Sequence, residues 1–134
     1  KAASVLRWDM CGCTEIKQSV ISIRELYRDK KITAIFQPHL YTRTRDFYKE
    51  FAESLSLLDE VILVDIYPAR EQPIPGVSSQ LIYDNLRPGI EKMVCRKEDI
   101  LDVLKDKKIE VLITLGAGDI DNYVPEIQKL LNNR

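Results

Sequence analysis

The chain has 134 residues, 45% of them hydrophobic, which is the size and apolar content of one domain with a core of its own. A net charge of −1 excludes a broad basic footprint for nucleic acid, and no run of 18 or more apolar residues offers a membrane span. The start has no continuous apolar region of the signal-peptide kind. Three cysteines, an odd number, argue against a disulfide framework and for a reducing cytoplasm.

Residues 1–13 give only a blurred strand pattern, and the chain opens at Lys1 rather than Met, as a fragment would. From Thr14 to Tyr27, Ile16, Val20, Ile23 and Tyr27 recur on one face and predict a helix. Ile32–Phe36 is a continuous apolar and β-branched run, a strand buried on both faces. Asp46 to Leu57 predicts the second helix, with Phe47, Phe51, Leu55 and Leu58 on its inner side. Val61–Asp65 predicts the next strand. The loop Tyr67 to Ser78 follows, with Pro68, Pro73, Pro75 and Gly76, and a loop of that length after a parallel strand is often functional. Ser79 to Leu86 predicts a short helix, Glu91–Cys95 a strand, Glu98 to Leu104 a helix, Val111–Leu115 the last strand and Asn122 to Leu131 the closing helix. Strands alternating with helices predict an α/β fold, a Rossmann-like doubly wound and mostly parallel sheet with helices on both faces.

The densest chemistry lies in Phe36-Gln37-Pro38-His39-Leu40-Tyr41-Thr42-Arg43-Thr44-Arg45, between a predicted strand and a predicted helix. Turns at strand carboxyl ends are where open α/β sheets bind ligands. A structural turn would favour Gly, Asn, Asp and Ser. Arginine can grip a carboxylate or phosphate through two parallel hydrogen bonds. Arg43 and Arg45 are either solvated charges at a helix start or an anion site. Cations are disfavoured beside the positive end of a helix dipole, and that misfit points to an anion. His39, the single histidine, is either a packed structural residue or part of the same site.

Leu115-Gly116-Ala117-Gly118-Asp119-Ile120 follows the last strand. Its glycines permit close backbone approach and its amides could hold an anion; equally, it reads as a tight turn capped by Asp119. It lacks the third glycine of a dinucleotide fingerprint, and no Gly-x-x-x-x-Gly-Lys-Ser/Thr loop occurs in the chain. Cys11-Gly12-Cys13 with Cys95 and His39 could supply four zinc ligands only by long-range convergence, so no metal site is assigned.

Phe36 to Arg45, together with Thr14-Glu15-Ile16, Asp65-Ile66-Tyr67-Pro68-Ala69-Arg70-Glu71, Pro73-Ile74-Pro75-Gly76 and Gly116-Ala117-Gly118-Asp119-Ile120, resembles the C-terminal domain of the Mur ligase family of bacterial peptidoglycan synthesis. The resemblance covers residues 14–134. The Gln-Pro-His-x-Tyr/Phe-Thr-Arg pattern is that of the branch adding L-alanine to UDP-N-acetylmuramate; the sister ligase that recycles murein tripeptide lacks it. The resemblance implies a cytoplasmic ATP-dependent amide ligase using ATP and magnesium. Its other domains would hold UDP-N-acetylmuramate and ATP, and this domain would present L-alanine. It implies neither nucleic acid nor membrane as a partner. No cofactor is expected on this domain alone, which by itself should be inactive. The substrate-binding candidates are His39, Arg43 and Arg45, with Gly116, Ala117, Gly118 and Asp119; no catalytic residue is assigned. Before Thr14 the family has Asp-Asp-Tyr-Ala-His-His-Pro, where this chain has Arg7-Trp8-Asp9-Met10-Cys11-Gly12-Cys13. Residues 1–13 therefore read as an atypical or appended segment, expected to be disordered or misplaced, and no family role is carried onto them. The alternative from another class is a non-catalytic Rossmann-like domain that binds a nucleotide or a protein partner.

Overall fold

A computed structural model describes residues 4–8, 13–116 and 119–132. The strands are β1 (Ser4–Trp8), β2 (Ile32–Gln37), β3 (Glu60–Leu63), β4 (Glu91–Val94) and β5 (Val111–Gly116). The helices are α1 (Cys13–Leu26), α2 (Tyr41–Leu55), α3 (Ser79–Asn85), α4 (Ile100–Lys105) and α5 (Val124–Asn132). Short 3-10 turns, Lys97–Asp99 and Asp119–Tyr123, lead into α4 and α5. All neighbouring strands are parallel, in the order β1-β5-β2-β3-β4.

Strand side chains alternate between two cores, as the two-residue repeat of a strand requires. Ile32, Ala34, Phe36, Val61, Leu63, Val111, Ile113 and Leu115 pack with residues of α1, α2 and α3 on one face. Ile35, Ile62, Val64 and Leu112 pack with residues of α4 and α5 on the other. This is the doubly wound arrangement expected from the continuous apolar runs, and it holds fully for β2, β3 and β5, which are buried throughout.

The structure differs from the sequence reading in three places. Ser4–Trp8 forms a fifth strand in parallel register with β5, Ser4 opposite Val111 and Trp8 opposite Leu115, where disorder or misplacement was expected. β4 is not buried on both faces: among the described residues it pairs only with β3, and Glu91 and Val94 are exposed. Its lysine and glutamate suit an edge, where charge discourages pairing with another chain. The third difference is the start of α2 at Tyr41 rather than Asp46. It changes the site.

Candidate functional site

The chain leaves β2 toward the α1–α3 face and β5 toward the α4–α5 face. Such a reversal opens a crevice at the carboxyl ends of two adjacent strands, the usual ligand position in an open α/β sheet. Gln37 closes β2 and Gly116 closes β5, and the two are register partners. Gly116 has φ 145°, and a Cβ there would lie 2.8 Å from the Gln37 carbonyl oxygen. Its missing side chain therefore serves first to let the two strands meet.

The Gln37 side chain, 1% exposed, spans the crevice floor. Its Nε2 donates to Asp119 Oδ1 at 2.7 Å, and its Oε1 accepts from the Ile120 N–H at 2.9 Å. Lys97 Nζ donates to the other Asp119 oxygen at 2.6 Å. Burial would raise the Asp119 carboxyl, but the bonds from Lys97 and Gln37 outweigh it and hold its pKa below the ordinary aspartate value. A lowered folded-state pKa contributes stability that is present above the unfolded value and is lost as pH falls through the folded one. Asp119→Asn should accordingly be less stable than the parent at about pH 6 and lose less stability between about pH 5 and 3. Urea midpoints measured across that range check it, and parallel curves would contradict it.

Pro38, His39 and Leu40 run beside Tyr67. The Tyr67 N–H donates to the Pro38 carbonyl at 2.8 Å, and the Leu40 N–H to the Tyr67 carbonyl at 2.9 Å. His39 stacks on the Tyr67 ring with centroids 5.7 Å apart and planes at 14°. His39 Nδ1 is buried and has no hydrogen-bond partner among the described residues. His39, Tyr67 and Gly116 thus lie together at the carboxyl edge, as expected for residues just past parallel strands.

Leu40 occupies the N-cap of α2 with φ 70°, and a leucine cannot cap a helix with its side chain. The first N–H groups of the helix are served by Glu71. Its Oε1 accepts from the Tyr41 N–H at 2.6 Å and the Thr42 N–H at 3.1 Å, and its Oε2 accepts from the Thr42 hydroxyl. The Thr42 hydroxyl chiefly, then the two N–H groups, hold the Glu71 carboxyl below the ordinary glutamate range. The first turn of α2 therefore contains residues expected to be loop, because its capping group comes from far along the chain. Glu71 also answers part of the electrostatic misfit, placing a negative charge at the positive helix end.

Of the two arginines, Arg45 is exposed and its Nε donates to Asp46 Oδ1 at 2.9 Å. Arg43 is half-buried, one residue past the Glu71-held turn, and makes no hydrogen bond or ion pair among the described residues. A groove of about 400 Å³, lined by Tyr41, Asp65, Ser78, Ser79, Val94 and Cys95, continues along the carboxyl edge beyond β3 and β4. A larger hollow of about 480 Å³ lies at the amino edge. There Arg24 is taken by Asp59 and backbone carbonyls and Arg87 by the Ser56 carbonyl, which leaves it a structural seam. Ala117, Gly118 and Cys11 lie outside the described residues. Cys95 follows β4, the edge strand, and Cys13 opens α1. Burial, with Asp99 and Asp65 adding, pushes the Cys95 thiol up to about 11, so it is not a ready metal ligand or nucleophile.

No protein-family model matches the chain. Among curated proteins it is 80% identical over 121 residues to the UDP-N-acetylmuramate–L-alanine ligase of Phocaeicola vulgatus, covering 90% of this chain and 26% of that protein. The ligase of the same name from Porphyromonas gingivalis is 52% identical over 118 residues, 87% of this chain and 26% of that protein. The chain belongs to the Mur ligase family. It corresponds to the C-terminal domain and spans about a quarter of the length of these relatives. The fold agrees. The crystal structure of the Thermotoga maritima UDP-N-acetylmuramate–alanine ligase superimposes with a TM-score of 0.73 at 24% identity, over 97% of this chain and 27% of that one. A murein peptide ligase from Psychrobacter arcticus gives 0.74 at 14% identity, over 99% of this chain and 28% of that one.

For a Mur ligase domain, Gln37 and Glu71 are what the sequence reading passed over. Both lie within the quoted motifs, but their partners, Asp119 and the Tyr41-Thr42 turn, are 82 and about 30 residues away. Spacing alone does not bring such pairs together.

Proposed function

We propose that this domain presents L-alanine in an ATP-dependent ligase that joins it to UDP-N-acetylmuramate in the cytoplasmic stage of bacterial peptidoglycan synthesis. ATP, with magnesium, would activate the muramyl carboxylate as an acyl phosphate, which the alanine amine attacks with release of phosphate. Magnesium and the ATP phosphates are assigned to no residue of this chain. The Arg43 guanidinium binds the alanine carboxylate, with His39 beside it. Holding the carboxylate aims the amine and makes its attack effectively unimolecular. Arg45, Gly116 and Asp119, with Ala117 and Gly118 between the last two in the sequence, are the secondary candidates for contact.

The observation that carries this reading is Arg43 itself: a half-buried arginine in the first turn of α2, at the sheet's carboxyl edge, with no hydrogen-bonding or ion-pair partner among the described residues. Incubating the full-length gene product with UDP-N-acetylmuramate, L-alanine, ATP and magnesium should yield phosphate and the amide, identified by mass. Nucleotide binding without amide formation would favour a non-catalytic domain. The 134-residue chain alone should release no phosphate under the same conditions, since it carries no phosphate-binding loop. Turnover that depends on all the substrates would contradict that.

A further inference from the structure

We infer that Glu71 is a positioning residue of this site: its carboxylate holds the first turn of α2 so that Arg43 stands in register for the amino acid. The inference rests on the reading of Arg43 as the carboxylate-binding residue.

The turn needs an outside support. Leu40 enters α2 at φ 70° and Ala69 enters the Glu71 turn at φ 53°, the only non-glycine residues at positive φ among those described. Such conformations are costly for residues with a side chain and persist where the surroundings impose them. Here the surroundings are two loops zipped together. Tyr67 exchanges hydrogen bonds with Pro38 and Leu40, and the Glu71 N–H donates to the Pro68 carbonyl at 2.9 Å. That tight return through Ala69 brings Glu71 back against α2. Both carboxylate oxygens are then used, one on two backbone N–H groups and one on the Thr42 hydroxyl, which fixes the plane of the carboxylate as well as its position. The Thr44 N–H and hydroxyl both donate to the Leu40 carbonyl, at 3.2 and 2.9 Å, closing the turn from within. Arg43 lies between Thr42 and Thr44, both tied down, so its backbone has little freedom left.

A residue that acts through Arg43 should change alanine binding and leave ATP binding alone. In the full-length enzyme, Glu71→Ala should raise KM for L-alanine about tenfold or more, since small misplacements of a positioning group are costly, with KM for ATP within about twofold. Glu71→Gln keeps an acceptor for the two N–H groups and should stay within about threefold of the parent. Hydrogen exchange at Tyr41 and Thr42 should speed up in Glu71→Ala, a readout confined to the capped turn. Unchanged alanine KM, or unchanged exchange at those amides, would overturn the inference. If Glu71→Ala does not fold, Thr42→Val decides: it removes one of the three bonds and should raise alanine KM by a smaller factor, and no rise would overturn the inference. Arg43→Ala measured alongside separates the two readings. If it raises alanine KM while Glu71→Ala does not, only Glu71 loses its role. If it changes nothing, the carboxylate reading of Arg43 fails.

Discussion

Replacing Arg43 by alanine in the full-length enzyme is expected to lower kcat/KM for L-alanine by about tenfold to a hundredfold or more, with little change in the kinetics of ATP. A hydrogen bond to a charged group contributes about 1.5–3 kcal/mol, and the guanidinium–carboxylate pair belongs to the strong, bidentate kind. Lysine at this position keeps the charge but loses the planar fork, so Arg43→Lys should recover only part of the loss. Arg45→Ala makes the internal comparison. Arg45 is exposed and already paired with Asp46, and exposed ion pairs contribute little, so its effect should be far smaller. Alanine and ATP varied separately in steady state would show both effects. An unchanged alanine KM and kcat in Arg43→Ala would remove it from the site.

Gly116→Ala should be the most damaging small substitution at the crevice. The new Cβ would lie 2.8 Å from the Gln37 carbonyl oxygen, a backbone atom held in the sheet, and at φ 145° alanine is strained whatever the space. Overpacking and backbone strain together suggest a loss of about 2–5 kcal/mol. Gly76 is the control: it also has positive φ, 80°, but nothing lies within 4 Å of its would-be Cβ. Gly76→Ala should therefore cost only the conformational term, about 1–2 kcal/mol. Urea midpoints at unchanged slope would measure both. Equal losses at the two glycines would mean that the close approach of β2 and β5 contributes nothing.

The parts legible in the sequence were those whose cause is local. Ile32–Phe36 and Val111–Leu115 are continuous apolar runs because both faces of those strands are covered, and burial on both faces leaves that mark. α1 was legible through Ile16, Val20 and Ile23, which recur at helical spacing and are all buried. The start of α2 was not, because helix-start rules look for a capping side chain at the start itself. Here the N-cap is Leu40 and the capping carboxylate belongs to Glu71. Ser4–Trp8 is short and finds its place only by pairing with β5, more than a hundred residues later. At the site, sequence reading gathered His39, Tyr67 and Gly116 to one edge. It could not see that His39 stacks on Tyr67, or that Asp119 is already held by Gln37 and Lys97.

The claim that Arg43 grips the alanine carboxylate is tested most directly by removing each partner in turn. The full-length enzyme and Arg43→Ala would each be given L-alanine and L-alaninamide, which keeps the amine and the methyl group but carries no carboxylate. If the two groups meet, the parent should prefer alanine by about tenfold to a hundredfold in kcat/KM, and Arg43→Ala should show almost no preference, the two losses failing to add. An Arg43→Ala enzyme that still discriminates as sharply as the parent would show that the carboxylate is held elsewhere.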